Sequence, residues 1–450
     1  MIGLIMFVVA FATLFMGYPI AFTFTGVSLL FIVINYFYVK GADAFAVASV
    51  GDFFSSVFDL FAFMPYRIYS IMENVILMAI PLFIFMGIVL QKTKLAERLL
   101  ESTGVLFGNI RGGLAVSTIL VGALLAASTG VVGATVVSMG VIALPVMLRY
   151  KYDKKLSTGA ICAAGTLGQI IPPSIVLIIL GDVLNLSVGD LFKVAVIPGL
   201  MLVVFYIVYI LVFSNMYKDK APVIHGEDGM SQGKKILNAV LSILPPLVLI
   251  ILVLGSIFTS IATPTESSAV GGVGAIGLSV LYGKFSWRMV YESAKETVIV
   301  TSMVFAIFVG ATAFSMIFSY TGADTLLEEF IINLPGAKYG FLFLSMVLIF
   351  FLGLFIDFIE ISFIVVPILY PIAESLGIDI LWFGILVAIN LQTSFLTPPF
   401  GFALFYLKGV APKEVSTMDI YRGAVPFIIL QVIVLISIIF FPEYFGFAAH

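Results

Sequence analysis

The chain has 450 residues, 62% of them hydrophobic and only 10% charged, with a formal net charge of −3. A soluble domain is about 25% charged, so an ordinary globular protein is excluded. The long, continuous apolar runs also exclude the short alternating segments of a membrane β-barrel. Room remains for roughly ten membrane-crossing helices of ~20 residues each, and the expectation is an all-α polytopic membrane protein. The single cysteine, Cys162, excludes an internal disulfide and a cysteine-rich metal site. It lies in the small-residue run Gly159 to Gly165, where helix packing is its expected role.

Taken in chain order, apolar runs predict spanning helices over 2–34, 70–91, 195–213, 236–259, 266–283, 297–320 and 422–441. The N-terminus lacks a basic n-region and a small-residue cleavage site, so the first run reads as a retained helix. Segment 41–66, with Asp43, Asp52 and Asp59 among Phe and Ala, reads as lying along the outer interface. Segment 92–103 reads as an amphipathic arm on the cytoplasmic face. Arg67 and Glu73 flank the start of the second span and either mark its boundary or meet a partner.

Segments 113–148 and 339–373 differ from the spans. Each has a polar or Gly-rich break near its middle, Ser128-Thr129-Gly130 in one and Asp357 to Ser362 in the other. Arms of ~15–18 residues are expected to reach about the middle of a ~30 Å hydrocarbon core. Both segments are therefore predicted to be re-entrant helical hairpins, which require protein or a watery cavity around their ends. Runs 156–181 and 380–405 read as broken helices, interrupted by Pro172-Pro173 and Pro398-Pro399.

The two broken runs resemble each other. Gly165-Thr166-Leu167-Gly168-Gln169-Ile170-Ile171-Pro172-Pro173-Ser174 returns in looser form as Gln392-Thr393-Ser394-Phe395-Leu396-Thr397-Pro398-Pro399-Phe400-Gly401. The Pro pairs lie 226 positions apart, as do Pro145 and Pro371, and Pro198 and Pro426 depart from that offset by two. The chain thus reads as two halves, 1–213 and 236–450, joined by a cytoplasmic linker 214–235. Basic loops (Lys92, Lys94, Arg98 and Arg111; Arg149, Lys151, Lys154 and Lys155) flank the first hairpin and place its entry on the cytoplasmic side. Acidic loops (Asp324, Glu328 and Glu329; Glu374 and Asp379) flank the second and place its entry outside. Three crossings between linker and second hairpin invert the repeat, and duplicated broken helices are a sequence pointer to a transporter's binding site.

Enzymatic chemistry finds little support. The two histidines are His225 in the linker and His450 at the terminus, which leaves no His-based triad and no HExxH site. There is no GxxxxGK[ST] nucleotide loop. Broken helices instead free carbonyls and N–H groups, which suit a hard cation and an anionic group respectively. Candidate Na⁺ ligands are Ser128, Thr129, Gly133 and Thr135 at the first tip, facing Gly165, Thr166, Gly168 and Pro172. In the second half they are Asp357 and Glu360, facing Thr393, Ser394, Thr397 and Pro398. Candidate substrate ligands are Ser128, Thr129, Ser174, Asp357, Ser362 and Thr397. Small and hydroxyl residues also pack membrane helices closely, so each of these positions has a packing alternative. Asp357 and Glu360 share a helix face if the backbone is helical there, with capping of the second arm as the alternative role. Thr263-Pro264-Thr265-Glu266 opens 266–283 as a capping signal or a partner contact. Gly271-Gly272-Val273-Gly274 favours tight helix packing.

The elements Ala79-Ile80-Pro81-Leu82-Phe83-Ile84-Phe85-Met86-Gly87, GTLGQIIPPS at 165–174, ATPTESSAVG at 262–271 and LTPPFG at 396–401 resemble the large membrane subunit of TRAP transporters, a DctM-like branch of the ion transporter superfamily. The likeness covers nearly the whole chain. It implies a Na⁺-coupled, elevator-type importer of organic acids in a bacterial inner membrane. It also implies two partners, a periplasmic substrate-binding protein and a small four-helix membrane subunit. Na⁺ would be the coupling ion, with no resident metal or cofactor, no nucleic-acid partner and no enzymatic activity. A stand-alone ion-coupled anion carrier is the alternative within the class; a channel or intramembrane enzyme is the alternative outside it. Two tips depart from the family pattern. Ser128 to Thr135 stands where many relatives have a Ser-Gly-Ser type tip, and Phe358-Ile359-Glu360 where many have small and hydroxyl residues.

Overall fold

The computed structural model describes residues 2–40, 49–223, 231–332 and 336–447. Those residues form helices and turns, with no strand among them. In the first half, α1 (Ile2–Phe15), α2 (Ile20–Lys40), α3 (Ser49–Phe61), α4 (Met64–Met72), α5 (Ala79–Lys92) and α6 (Leu95–Phe107) lead to a hairpin of α7 (Gly113–Thr129) and α8 (Val132–Arg149). A broken helix follows, α9 (Lys154–Thr166) and α10 (Ile175–Val183), and then the long α11 (Val188–Met216). The second half runs through α12 (Gln232–Phe258), α13 (Pro264–Leu281), α14 (Trp287–Tyr320) and α15 (Ala323–Ile332) to a hairpin of α16 (Ala337–Gly353) and α17 (Phe358–Glu360). From α17 a π turn over Ile361–Val365 leads into α18 (Val366–Ser375), so one helix occupies 358–375. A second broken helix, α19 (Ile380–Phe395) and α20 (Phe402–Val410), and α21 (Thr417–Phe440) complete the half.

Seven helices among the described residues are long and apolar enough to cross a membrane, or eight if α5 and α6, bent by 59°, count as one span. The polytopic all-helical architecture, both hairpins and both broken helices are those expected from the sequence. The duplication extends to element boundaries. Val132 and Phe358 begin the two second arms, Arg149 and Ser375 end them, and Lys154 and Ile380 begin the broken helices, each pair 226 positions apart.

Several boundaries need correction. The run 2–34 is two helices, because 33 residues would make a helix of ~50 Å and Gly17, at φ +87°, turns the chain ahead of Pro19. The run 70–91 is divided between α4 and α5. There the Asn74 side chain accepts hydrogen bonds from the backbone N–H groups of Ile76 and Leu77 and draws the chain into a turn. The run 266–283 is the 18-residue α13, which is outside the seven because Thr, Ser, Glu and Gly dilute its apolar content. It serves as a packing helix: a Cβ added at Gly271 would lie 2.6 Å from Met86 Sδ on α5, and one at Gly274 2.3 Å from Leu249 Cδ1 on α12. Thr263 and Glu266 form a reciprocal capping box at its start, so of the two roles open for that motif the cap is present. Thr265 Oγ1 also donates to the Val75 carbonyl, tying α13 to the loop ahead of α5.

The hairpin arms have the expected length, 17 residues in each first arm and 18 in each second. At ~27 Å of helix, the second arms are not stopped half-way by length alone. The first tip docks on the first break: a Cβ at Gly130 would lie 3.4 Å from the Pro173 carbonyl and 3.2 Å from Ile175 Cγ1, both at the α9–α10 break.

The halves interlock through small residues. Gly159 on α9 faces the Gly423 carbonyl on α21, where a Cβ would come within 2.1 Å of the oxygen. Gly140 on α8 faces Leu407 and Val410 of α20, and Gly384 on α19 faces Leu184, just past the end of α10. Cys162 is buried, and its thiol donates to the Ala403 carbonyl at 3.6 Å, which fits the packing role expected for it. The start of the linker is not a plain tether: the Asp153 N–H donates to the Lys220 carbonyl at 2.7 Å, fastening it to the loop between hairpin and broken helix. Asp43, His225 and His450 lie outside the described residues.

Gly159→Ala is expected to lower the melting temperature in detergent strongly, by the equivalent of about 3 kcal/mol or more, since backbone must move to admit the methyl. Gly277→Ala, with open space around it, should leave melting unchanged.

Candidate functional site

The first tip is an αL turn. α7 ends at Thr129, Gly130 takes φ +61° and donates its N–H to the Ala126 carbonyl, and α8 restarts after an extended Val131. Ser128 and Thr129 are buried beside it, as is Thr135 one turn into α8. Thr129 Oγ1 and Thr135 Oγ1 are hydrogen-bonded to each other at 3.0 Å. Ser128 Oγ donates to the Leu124 and Leu125 carbonyls. At the facing break, Thr166 Oγ1 donates to the Ala163 carbonyl, and Ser174 Oγ donates to the Gln169 carbonyl while accepting from Leu177 N–H as cap of α10. Gly165 and Gly168 bring the backbone close: their Cβ positions would fall 2.2 Å from Val136 Cγ2 and 3.3 Å from the Ala126 carbonyl oxygen.

The second tip has the same backbone plan with different chemistry. Asp357 caps the helix over 358–375 by accepting from Phe358 N–H at 2.6 Å, so its capping role is present. Glu360, three residues on, is 1% exposed, and its Oε2 has no hydrogen-bond partner. At the end of α19, Thr393 and Thr397 donate to the carbonyls four residues back and Ser394 to the one three back. The first arm is held on α19 by Asn390 Nδ2, which donates to the Met346 carbonyl at 2.7 Å, and by Gly353, against Ser394 Oγ. The Pro172-Pro173 and Pro398-Pro399 bonds are both cis. Ser362 lies in the π turn, buried and with its hydroxyl unpartnered.

A common rule runs through these hydroxyls. Except at Ser362, each gives its proton to a carbonyl of its own segment or to a neighbouring hydroxyl. Each oxygen keeps lone-pair capacity, taken up in part at Ser174 by Leu177 N–H and at Thr166 by Gln431, and an oxygen presenting lone pairs is an acceptor suited to a cation. Helix ends add unpaired carbonyls at the same breaks.

Sequence reading missed four side chains that complete the surroundings. Gln431 on α21 donates from Nε2 to Tyr206 Oη at 2.8 Å and to Thr166 Oγ1 at 3.3 Å, and its own Oε1 is unpartnered. Gln431 is a lone amide within an apolar helix, and that was a readable signal. Gln91 on α5 donates to Ser138 Oγ on α8 at 2.7 Å. Both residues line a cleft of about 260 Å³ together with Lys94, Glu97, Thr129 and Thr135 among others, between the start of α6 and the first tip. Among the described residues, no group of three or more His, Cys, Asp or Glu side chains could hold a metal ion.

A family model described as "Tripartite ATP-independent periplasmic transporter, DctM component" matches residues 7–444. The chain belongs to that family, and so is a membrane component of a transport system rather than an enzyme. It is 32% identical over 374 residues to a putative TRAP transporter large permease protein of Haemophilus influenzae, covering 82% of this chain and 90% of that one. The sialic acid TRAP transporter large permease protein SiaM of Vibrio cholerae is 30% identical over 83% of this chain and 86% of its own length. The ectoine TRAP transporter large permease protein TeaC of Halomonas elongata is 31% identical over 82% and 84%. Among solved structures, the YdaH transporter of Alcanivorax borkumensis superimposes with a TM-score of 0.59 at 14% identity, covering 94% of this chain and 99% of that one. That likeness shows a shared fold.

The cleft makes an accessibility prediction. Ser138→Cys in purified protein should react with a small maleimide at least ~10-fold faster than native Cys162, which is fully buried. Equal labelling rates would show that the cleft is not open to solvent.

Proposed function

We propose that this chain is the large membrane subunit of a Na⁺-coupled importer. It moves a small organic acid across a bacterial inner membrane by an elevator motion. The observation that carries the reading is the pair of tips docked on pair of breaks at constant offset, each lined by hydroxyls whose protons are already committed. Relatives are named for C4-dicarboxylate, sialic acid and ectoine transport, so the family handles solutes bearing carboxylates. Membership in a tripartite family supports a substrate-binding protein and a small membrane subunit as partners.

The basic loops beside the first hairpin and the acidic ones beside the second support opposite entry sides for the two hairpins. Such an inversion needs an odd number of crossings between linker and second hairpin: α12 and α14 are long and apolar enough to cross, and α13, at 18 residues, has the length for the third. α5 packs closely on the first tip, where a Cβ at Gly87 would lie 2.6 Å from Thr129 Cα, and donates from Gln91 to Ser138, while α14 stacks Phe308 on Phe363 of the second arm at 4.1 Å between ring centres. An elevator motion would slide the hairpins along these faces.

Reconstituted with a small subunit and a loaded binding protein, the chain should accumulate solute only with an inward Na⁺ gradient. Uptake by the chain alone on a proton gradient would overturn this reading. Thr166→Ala and Thr397→Ala should each raise the Na⁺ concentration for half-maximal transport several-fold, by the loss of one ligand oxygen worth about 1 kcal/mol. Unchanged Na⁺ dependence in both would assign these hydroxyls to packing.

A further inference from the structure

Away from the hairpin tips, α6, the start of α12 and the end of α13 enclose a pocket of about 320 Å³, lined by Arg98, Ser102, Asn238, Leu241, Ser242 and Tyr282. One residue holds the arginine in place. Arg98 Nη2 donates to the Tyr282 carbonyl at 3.2 Å, and the guanidinium carbon lies 4.9 Å from the centre of the Tyr282 ring. Ser102 and Ser242 are hydrogen-bonded to each other at 2.8 Å, joining α6 to α12. That bond uses one of their two hydroxyl protons and leaves the other to donate. The Tyr282 hydroxyl oxygen is buried and has no hydrogen-bond partner.

The charge at this pocket is uncompensated. Arg98 makes no ion pair among the described residues, whereas its neighbour Glu97 is paired with Lys94 at 3.4 Å. A guanidinium presents its N–H donors as a planar fork, and a bond to one carbonyl leaves most of them for an oxyanion. Lys234 and Lys235, four and three residues ahead of Asn238, add positive charge to the same side of α12. Guanidinium, hydroxyl and amide donors around one cavity match the oxygens of a phosphate. The remaining wall is apolar. Leu241 lines the pocket and is exposed, and Leu237, Leu244 and Val248 are exposed at helical spacing along α12. Since α12 turns from polar to apolar just after Lys235, the pocket lies at the level where lipid headgroups meet acyl chains.

We propose that this pocket binds the phosphate of an anionic phospholipid. Arg98 takes the phosphate oxygens, the serine pair and the Tyr282 hydroxyl add donors, and an acyl chain runs along the exposed leucines of α12. Basic pockets between membrane helices suit anionic headgroups for the same reasons. α6 also supports the first hairpin, where a Cβ at Gly104 would lie 3.5 Å from Leu114 Cδ1 on α7. A bound headgroup fastens that support to α12 and α13. The site is separate from the hairpin tips and does not depend on which ion drives transport.

The test is a melting titration of purified protein, stripped of lipid in an uncharged detergent, with phosphatidylglycerol, phosphatidylcholine or glycerol 3-phosphate added. A ligand that binds the folded state raises the melting temperature as its site fills. Phosphatidylglycerol should do so saturably, and at a far lower concentration than either of the others. Arg98→Gln should raise the phosphatidylglycerol midpoint about tenfold or more, the loss expected for a charge-assisted pair. Tyr282→Phe keeps the ring and carbonyl that hold Arg98 and removes a hydroxyl without a partner. Its lipid-free melting temperature should therefore stay within about 2 °C of the parent, while its phosphatidylglycerol midpoint rises several-fold. Equal responses of the parent to phosphatidylglycerol and phosphatidylcholine, or unchanged midpoints in both variants, would overturn the proposal. Saturation by glycerol 3-phosphate at the midpoint of the lipid would make this a site for soluble phosphates and overturn the lipid assignment.

Discussion

The structure depends on one constraint: a helix interrupted inside apolar surroundings must satisfy or shelter every backbone group it frees. This chain interrupts its helices at two hairpin tips and two breaks, and the solutions are local. Gly130 returns its N–H to Ala126, Ser174 and Asp357 cap the helices that follow them, and Leu396 and Thr397 close a tight turn on the Thr393 and Ser394 carbonyls. Each interruption then has to be wrapped in protein. Glycines at 130, 159, 165 and 168 let neighbouring backbone approach within contact distance, which side chains of ordinary size would prevent. The carbonyls and lone pairs left over from this accounting are the raw material of the site.

The duplicated halves keep one backbone plan and diverge in charge. The first tip is lined by neutral hydroxyls, of which Thr129 and Thr135 bond to each other. The second carries Asp357 and Glu360. The two tips are thus chemically unequal even though several helix boundaries recur between the halves at one offset. The DctM-family assignment fixes the class of molecule, and this asymmetry is the property particular to the chain.

Much of this was legible in the sequence because prolines, glycines and carboxylates are conspicuous against an apolar background. Pro172-Pro173, Pro398-Pro399 and Asp357 located the breaks and the second tip, and the 226-residue offset aligned the halves. Boundaries were less legible. The run 2–34 hid a turn because Gly17 and Pro19 scarcely lower its hydropathy. By contrast α14 begins at Trp287, ten residues before its apolar stretch, because Arg288, Glu292 and Glu296 extend a helix without being apolar. Gln91 and Ser138 were hidden too, since their pairing spans 47 residues of chain.

The exchange of packing between halves has a consequence for synthesis. The first hairpin and its broken helix are made early, but the surfaces that cover Gly133, Gly140 and Gly159 come from α20 and α21, the last helices before the C-terminus. Through most of translation and insertion those glycine-lined grooves have no mate within the chain. The nascent first half must therefore wait, its interrupted helices covered by lipid, insertion machinery or chaperone, until the fifty or so residues from α20 onward arrive. A chain truncated shortly before α20 would leave the ribosome with its first half fully synthesised and its central grooves open.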